Sequence, residues 1–556
     1  MITARPEESQ SDLVELDCDY LIIGAGAASL AFLDTLLTEL PNARIVLVDK
    51  HDAPGGHWND AYDFVRLHQP SMFYGLASRQ LEGNWLWLLL TKFTKPWEHR
   101  ASKQEILSYY ASAVQTWVDQ GKVKYYPNCV FDFAHAKKHP SGPQRFKSLD
   151  GTEEYSVTVR RKVVDGTEGE PLIPSTHPIP FPVDKGIEVL TPNDLPKLKR
   201  KHSHYLVCGC GKTGMDTCVY LQEEMGVDPK DITWVVSQEP YMINRGKLTC
   251  PFSRTQKFLE ASGDRAAALQ RMEKKGELLT LFEKKAGSAP PTVFRFPIIS
   301  QQELTVLRRI TRVICRGRVA RIEKESDGIS LHFKDGGEAA TIQGDVSVVH
   351  CCAPGPFNGK GNEGGPGKIF ISPHLLRLGL LLGPPIGSSM SMIAMLEACS
   401  SKDLLDKEAA RKLLGTDDES LTGEELLSQL ITPFPIAKIE DPLAQLHPIT
   451  ILAVYFGICK QVSVSSLCSL LCDFGLADFF SSQGSLGNSE LDEAQSIVLP
   501  LSTQIQVGPC QAAEIDAGEE GRLGHVGRAG QSADAPNQQA GTVSRPSLDL
   551  LLSSRF

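Results

Sequence analysis

A chain of 556 residues, 41% hydrophobic and 22% charged, holds enough material for two or three domains of ~150 residues each and is no small disulfide-stapled scaffold. Its net charge of −10 disfavours nucleic acid or an anionic membrane as the main partner and leaves a small molecule as the expected one. The 14 cysteines are scattered, largely inside apolar runs and without a CxxC pair, so neither a disulfide framework nor a metal site is expected.

Residues 1–16 are polar and acidic with no apolar signal-peptide core, and read as a flexible terminus of a cytoplasmic protein. The run "DYLIIGAGAASLAFLDTLLTEL" followed by "ARIVLVD" predicts strand, glycine turn, helix and second strand, a βαβ unit. Ser102 and Glu105 form a capping box ahead of a helix whose apolar positions Ile106, Tyr110, Val114 and Trp117 recur at helical spacing. "KVKYYPNCVFDF" and "YSVTVRRKVVDGT" read as strands, and the proline-rich "GEPLIPSTHPIPFPVDKG" as a connection between units.

A second βαβ unit opens at "HYLVCGCGKTGMDTC", with its next strand at "DITWVVS". Residues 250–289 are charged with a helical pattern and could form a cap or lid, and strands are expected at "RVARIEKE", "ISLHFKD" and "DVSVVHCCAPG". Two later apolar stretches, "LLRLGLLLGPPIGSSMSMIAML" and "HPITILAVYFGICKQVSVSSLCSLLCDF", are interrupted by Pro384-Pro385 and Lys460 and read as buried core helices, not membrane spans. Beyond Ser481 a composition poor in large apolar groups predicts a disordered tail. The expected fold is α/β, with two Rossmann-like dinucleotide-binding domains, additional helical segments and that tail. The expected division is 17–185 with part of 345–480, 186–355, a helical and loop region over 356–480, and the tail over 481–556.

A glycine triad at a strand-to-helix turn lets backbone approach a pyrophosphate, while the free N–H groups and dipole of the helix hold its charge. The first copy is Gly24 and Gly26 with Ser29 or Ala28 at the third small position, and Asp49 ends the next strand, where an acid accepts from a ribose hydroxyl pair. The second copy has Gly209, Gly211 and Gly214, with Lys212 and Thr213 at the helix start. Its Gly-Lys-Thr is not a P-loop, because Leu206 stands where that motif needs glycine. The strand after it ends in Ser237 and not an acid, with Arg245 and Lys247 close behind. This favours NADPH over NADH, with Arg245 as the expected 2′-phosphate ligand.

With "GAGAASLA", "LVDK", "APGGHWNDAYDFVRLHQPSMFYG" and "GCGKTGMD" in this order, the chain resembles the flavin-containing monooxygenase superfamily of two-dinucleotide-binding-domain flavoproteins, over about Asp17 to Gly355. "KVVDGT" and "VVHCCAPG" are similar to that family's crossovers between domains, whereas its FxGxxxHxxx(Y/W) hallmark is missing, "VLTPNDLPKLKRKHSHY" standing in its place. The resemblance implies FAD in the first fold, with Gly56, His57 and Trp58 wrapping the flavin, and NADPH in the second. It also implies that NADPH reduces FAD and that molecular oxygen is then used to oxygenate a small organic substrate. Arg66, His68, Gln69 and Ser71 lie on the segment expected to face the flavin ring; Gln69 is the preferred catalytic candidate, with His68 and Arg66 beside it, and Tyr74 could line a substrate pocket. Two other functions fit the same residues: a flavin-dependent reductase or dehydrogenase serving a quinone-like acceptor, and a non-catalytic nucleotide-binding scaffold. Cys468 and Cys472 lie outside both units and are not expected to form a redox pair, and assembly as a homo-oligomer is left open.

Overall fold

The computed structural model describes residues 13–71, 74–79, 81, 99–169, 171–247, 265–282, 290–291, 293–352, 368–381 and 386–431. The second long apolar stretch, Cys468 and Cys472, and the whole 481–556 tail lie outside these residues, as do residues 1–12. Residues 13–16, expected to be flexible, are instead the start of the first strand.

The chain begins with β1 (Leu13–Ile23), α1 (Ala27–Glu39) and β2 (Ile45–Val48), continues through α2 (Lys103–Asp119) to β3 (Val123–Tyr126), and then forms β4 (Cys129–Phe131), α3 (Phe133–Lys138), β5 (Gln144–Ser148) and β6 (Glu154–Asp165). The expected single strand "KVKYYPNCVFDF" is split between β3 and β4, because Pro127 lacks an N–H and Asn128 takes a positive φ of 53°. The capping box at α2 is present, with Glu105 N donating to Ser102 Oγ and Ser102 N donating to Glu105 Oε2. Ile106, Tyr110, Val114 and Trp117 are all buried, as their spacing predicted.

A second set follows: β7 (Glu188–Leu190), β8 (His204–Cys208), α4 (Lys212–Glu223), β9 (Ile232–Val235), β10 (Pro240–Asn244), α5 (Arg265–Lys274), β11 (Leu278–Leu279), β12 (Val293–Ile299), α6 (Gln301–Leu307) and β13 (Arg312–Ile314). Then come β14 (Val319–Glu325), β15 (Gly328–Phe333), β16 (Ala340–Ile342) and β17 (Val346–His350). The chain returns as β18 (Phe370–Ser372), β19 (Leu375–Arg377), α7 (Ile386–Ser401), α8 (Lys407–Leu414) and α9 (Gly423–Leu430).

The first sheet runs β18-β19-β6-β1-β2-β3, with β19, β6, β1, β2 and β3 mutually parallel and β4 and β5 hung from β6 as an antiparallel extension. The second runs β13-β9-β8-β17-β7 and is parallel throughout. Each places its glycine turn between the first strand and first helix of a βαβ unit, at the carboxyl edge where such sheets bind ligands. Of the three late strands expected to complete the second sheet, only β17 joins it; β14 and β15 pair with β16 in a separate antiparallel sheet. Residues 265–282, within the segment read as a lid, supply α5 and β11, and β11 pairs with β10 in a small three-stranded sheet.

The first long apolar stretch is strand β19 in its first part and helix α7 in its second, because Pro384-Pro385 forbids one continuous helix. α7 lies on α1, so α1 is enclosed from both sides: Phe32, Leu33 and Leu36 are buried, and so are Asp34 and Thr35. Each buried Leu or Phe contributes about 1.5–3 kcal/mol through removal from water. Polar members have partners: Thr35 Oγ1 donates to Ser391 Oγ at 2.9 Å, and Ser78 N–H donates to Asp34 Oδ2 at 2.9 Å. Below the sheet, Lys162 is held by Glu397 at 2.9 Å and by Glu424, while Tyr20 OH donates to Glu397 Oε1. Among the described residues no helix is long and apolar enough to cross a membrane, and no group of His, Cys, Asp and Glu is arranged to hold a metal ion.

Candidate functional site

β1 delivers Gly24 into a turn with φ +88°, and Gly26 caps α1 without a side chain. Against this turn lies the loop that carries Gly55 and Gly56. Gly55 N–H donates to Ala25 O at 2.8 Å, and a β-carbon on Gly56 would sit 2.8 Å from Gly26 Cα. Two glycine backbones therefore face each other, an arrangement that leaves main-chain groups bare to an anion. Ser29, at the third small position, is fully buried with its Oγ unpartnered, packed against Gly166 of the "DGT" crossover. Asp49 ends β2, is 4% exposed, and accepts from Ala25 N–H and from His51 N–H at 2.7 Å. Trp58 is buried, and its Nε1–H donates to Tyr74 OH at 2.7 Å, while the half-buried His57 ring lies 5.2 Å from the Trp58 ring. Tyr74 meets Trp58 and Tyr110 edge-on, so it is a packing residue of this wall.

At the second turn the glycines divide their work. Gly209 has φ +137° and a β-carbon there would meet Cys351 O at 2.5 Å; one on Gly214 would meet Gly209 O at 2.1 Å. These two close the turn onto β17 and α4. Gly211 faces open space, with no atom within 4 Å of its would-be β-carbon, and is the position at which a ligand can approach backbone. Thr213 is half-buried beside it. Ser237, just past the end of β9, lies 3.6 Å from Cys210 Sγ, and Gly317 N–H donates to Ser237 O, while the guanidinium of neighbouring Arg316 donates to Glu338 O at 2.7 Å.

Arg245 is not there. Its guanidinium is 7% exposed and donates to His68 O at 3.0 Å and Ile298 O at 3.2 Å, and pairs with Glu303 at 2.8 Å. Three acceptors engage it between the two nucleotide folds, away from the 2′-phosphate role expected of it. Lys212, the first residue of α4, reaches the same Glu303 at 3.1 Å as well as Asp216, and Arg100 completes the cluster at 3.2 Å. Burial pushes the Glu303 carboxyl up, but Lys212, Arg245 and Arg100 outweigh it and hold the group well below the usual carboxylate range. The signal for Glu303 was legible as a capping box, Ser300 to Glu303, which the structure contains; its cationic partners come from distant segments.

The catalytic candidates on 66–71 separate. Arg66 is exposed and donates to Arg100 O, so its side chain points away from the buried face. His68 takes Ile298 N–H at Nδ1, 3.4 Å, and its pKa is driven down to about 3 by burial and the nearby Lys212 and Arg245 charges, so it is neutral. Ser71 is buried and structural, taking Ala101 N–H at 2.7 Å. Gln69 alone keeps an unpartnered buried oxygen, Oε1. The same segment docks α4: Tyr62 OH donates to Asp216 at 2.9 Å, and Phe64 stacks on Tyr220 with centroids 3.9 Å apart. Tyr62, Asp216, Arg100 and Glu303 escaped sequence reasoning because only the docking of the two sheets brings them together.

No family model matches the chain. Curated relatives from Mycobacterium tuberculosis and Mycobacterium bovis, each described as an uncharacterized protein, are 37% identical over 329 residues, covering 57% of this chain. The chain spans 58% of the length of these relatives. Among solved structures it is similar to cyclohexanone monooxygenase from Rhodococcus sp. Phi1 bound to NADP+ (16% identity, 70% of this chain and 86% of that one, TM-score 0.43). It is also similar to a steroid monooxygenase bound to NADP (14%, 72% and 87%, 0.43) and to ornithine N-hydroxylase of Kutzneria sp. 744 (12%, 61% and 81%, 0.39). At such identities neither substrate nor activity transfers.

Proposed function

We propose that this chain is an FAD-dependent oxidoreductase reduced by NADPH, and that it acts as a monooxygenase on a small organic substrate with molecular oxygen. The observation that carries the reading is the presence of two glycine cradles, each at the carboxyl edge of its own parallel sheet, joined by the Glu303 cluster. The residues fit the cofactors: the turn at Gly24 and Gly26 meets a second glycine, Gly56, where a β-carbon would sit 2.8 Å from Gly26 Cα, and Ser29 Oγ, Gln69 Oε1 and Tyr125 OH are buried polar atoms in want of partners. The first fold, 17–185 with the returning strands, would hold FAD through Gly24, Gly26, Ser29, Asp49, Gly56, His57 and Trp58. The second, 186–355, would hold NADPH through Gly209, Gly211, Lys212, Thr213 and Gly214. Ser237 in place of an acid supports the phosphorylated form of the nucleotide.

A bound flavin supplies hydride acceptance and, once reduced, oxygen chemistry that no side chain provides. The chain's own part is placement. Gln69 offers an amide whose oxygen awaits a donor, and Trp58, Tyr74 and Tyr110 pack as an apolar wall beside the first turn. Neutral His68 holds its tautomer through Ile298 N–H, so Nε2 carries the proton, and it does not serve as an acid near neutral pH. The test is the purified full chain given NADPH without oxygen, followed by labelled dioxygen and a panel of ketones, amines and sulfides. Loss of the flavin's visible absorption with NADPH, and label in an organic product, support the reading. Electrons passing to a quinone with no labelled product would make it a reductase, and a colourless chain that binds no FAD would leave only a scaffold.

A further inference from the structure

The corner where β2 ends holds a network that neither glycine motif requires. His51 N–H and Nδ1 both lie on Asp49 Oδ1, at 2.7 and 2.9 Å, and Nε2 lies 2.8 Å from Asp60 Oδ2. An ionised carboxylate only accepts, so a ring between two of them satisfies both only as a donor at each nitrogen. We propose that His51 is a positioning residue for the adenosine-diphosphate end of FAD: its ring ties Asp49, the acid for the ribose, to Asp60, and so seats the glycine loop 53–60 on the Gly24–Gly26 turn. The inference rests on the FAD reading given above.

Several contacts make this corner a latch and not an isolated pair. The loop is fixed at one end by Gly55 N–H on Ala25 O and at the other by Asp60, whose carbonyl also takes Ser175 Oγ at 2.7 Å from the connection between the two sheets and Asn193 Nδ2 at 3.0 Å from the turn after β7. The His51 carbonyl accepts Asn128 N–H at 2.9 Å, which pins the corner to the turn after β3. On β3 itself, Tyr125 carries a buried hydroxyl without a partner, within electrostatic reach of Asp49 and Asp52; it marks space for a polar ligand beside the acid. The charged and titratable groups facing His51 are therefore Asp49 from β2 and Asp60 from the loop, with Tyr125 and Asp52 beyond them. Two carboxylates next to a diphosphate would repel it, and an imidazolium between them offsets one of those charges. Hydrogen bonds to Asp49 and Asp60 outweigh burial and raise the His51 pKa to about 9, so the cation persists through neutral pH.

The experiment follows FAD release from the full-length protein, by the fluorescence of the freed flavin, between pH 6.5 and 10 in wild type, His51→Ala, His51→Lys and Asp60→Asn. His51→Ala is expected to release FAD about tenfold faster at pH 7.5, as for loss of a charged hydrogen bond. His51→Lys, whose ammonium can donate to both acids, is expected to recover most of that loss. Release from wild type should accelerate as pH rises through about 9, a break absent from His51→Ala and moved to lower pH in Asp60→Asn. Release and alkaline break unchanged in both His51→Ala and Asp60→Asn overturn the latch while leaving FAD in place; should His51→Ala fail to fold, an unmoved break in Asp60→Asn overturns it alone. A wild-type chain that binds no FAD overturns the parent reading and the latch together.

Discussion

Gly26 and Gly56 face each other backbone to backbone: a β-carbon on Gly56 would sit 2.8 Å from Gly26 Cα and force a shift, whereas one on Gly26 would lie 3.6 Å from Gly56 Cα in ordinary contact. Gly26 is thus replaceable in the protein alone, but a branched side chain there would stand where the diphosphate is proposed to lie. Gly26→Val is therefore expected to yield a folded but colourless protein, checked by absorbance near 450 nm against thermal unfolding; a yellow product would remove the first turn from FAD binding. The second turn permits a sharper division. Gly214→Ala drives a methyl group into Gly209 O and should cost about 3 kcal/mol of stability, because the obstacle is backbone. Gly211→Val meets nothing in the protein and should cost only about 1 kcal/mol as a poorer helix cap, yet raise the KM for NADPH by about tenfold or more. At this scale the sequence was readable: Gly24, Gly26, Gly209, Gly211 and Gly214 stand where a local strand-turn-helix rule puts them. Arg66 turns to the surface and Arg245 is taken up by Glu303, because nearness along the chain to a motif says nothing about which way a side chain turns once distant segments dock.

Among the elements, α6 presents Glu303 to cations from α4, from the end of β10 and from the segment before α2. Glu303→Gln leaves three neighbouring positive charges with no ionised acid among them apart from Asp216. It should cost about 2 kcal/mol, since the group keeps some contact with solvent, and lower the Tm by a few degrees. Arg245→Ala should destabilise comparably while leaving the NADPH to NADH preference unchanged; a selective rise in the KM for NADPH would return Arg245 to the phosphate. The capping box at Ser102 was legible because an N-cap is written within four residues, and the same rule would have found the one at Ser300. The splitting of "KVKYYPNCVFDF" and the separate β14-β15-β16 sheet were not, because strand partners are chosen across the fold.

For the molecule as a whole, two histidines set opposing limits on stability. His68 is neutral when folded, with a pKa near 3 against 6.5 unfolded, so its contribution is complete above pH 6.5 and is lost as acid drives protonation between 6.5 and 3. His51 is charged when folded, with a pKa near 9 against 6.5, so its contribution is complete below 6.5 and is lost as pH rises through 9. Thermal unfolding followed from pH 4 to 10 should peak near 6.5. His68→Gln should flatten the acid limb; a peak displaced well above pH 8 would contradict the His51 assignment, and one displaced well below pH 6 the His68 assignment.

The route of the chain has a consequence for its biosynthesis. The sheet that begins with β1 closes only when β19 pairs with β6, after the whole second nucleotide fold has been made. Its central helix α1 is covered by α7, with Thr35 and Ser391 separated by 356 positions and Tyr20 and Glu397 by 377. On the ribosome, the part synthesised first is thus the part finished last, and Phe32, Leu33 and Leu36 wait uncovered while the inserted fold, whose own strands are closer in sequence, can form. That interval is when these side chains are open to association with other chains.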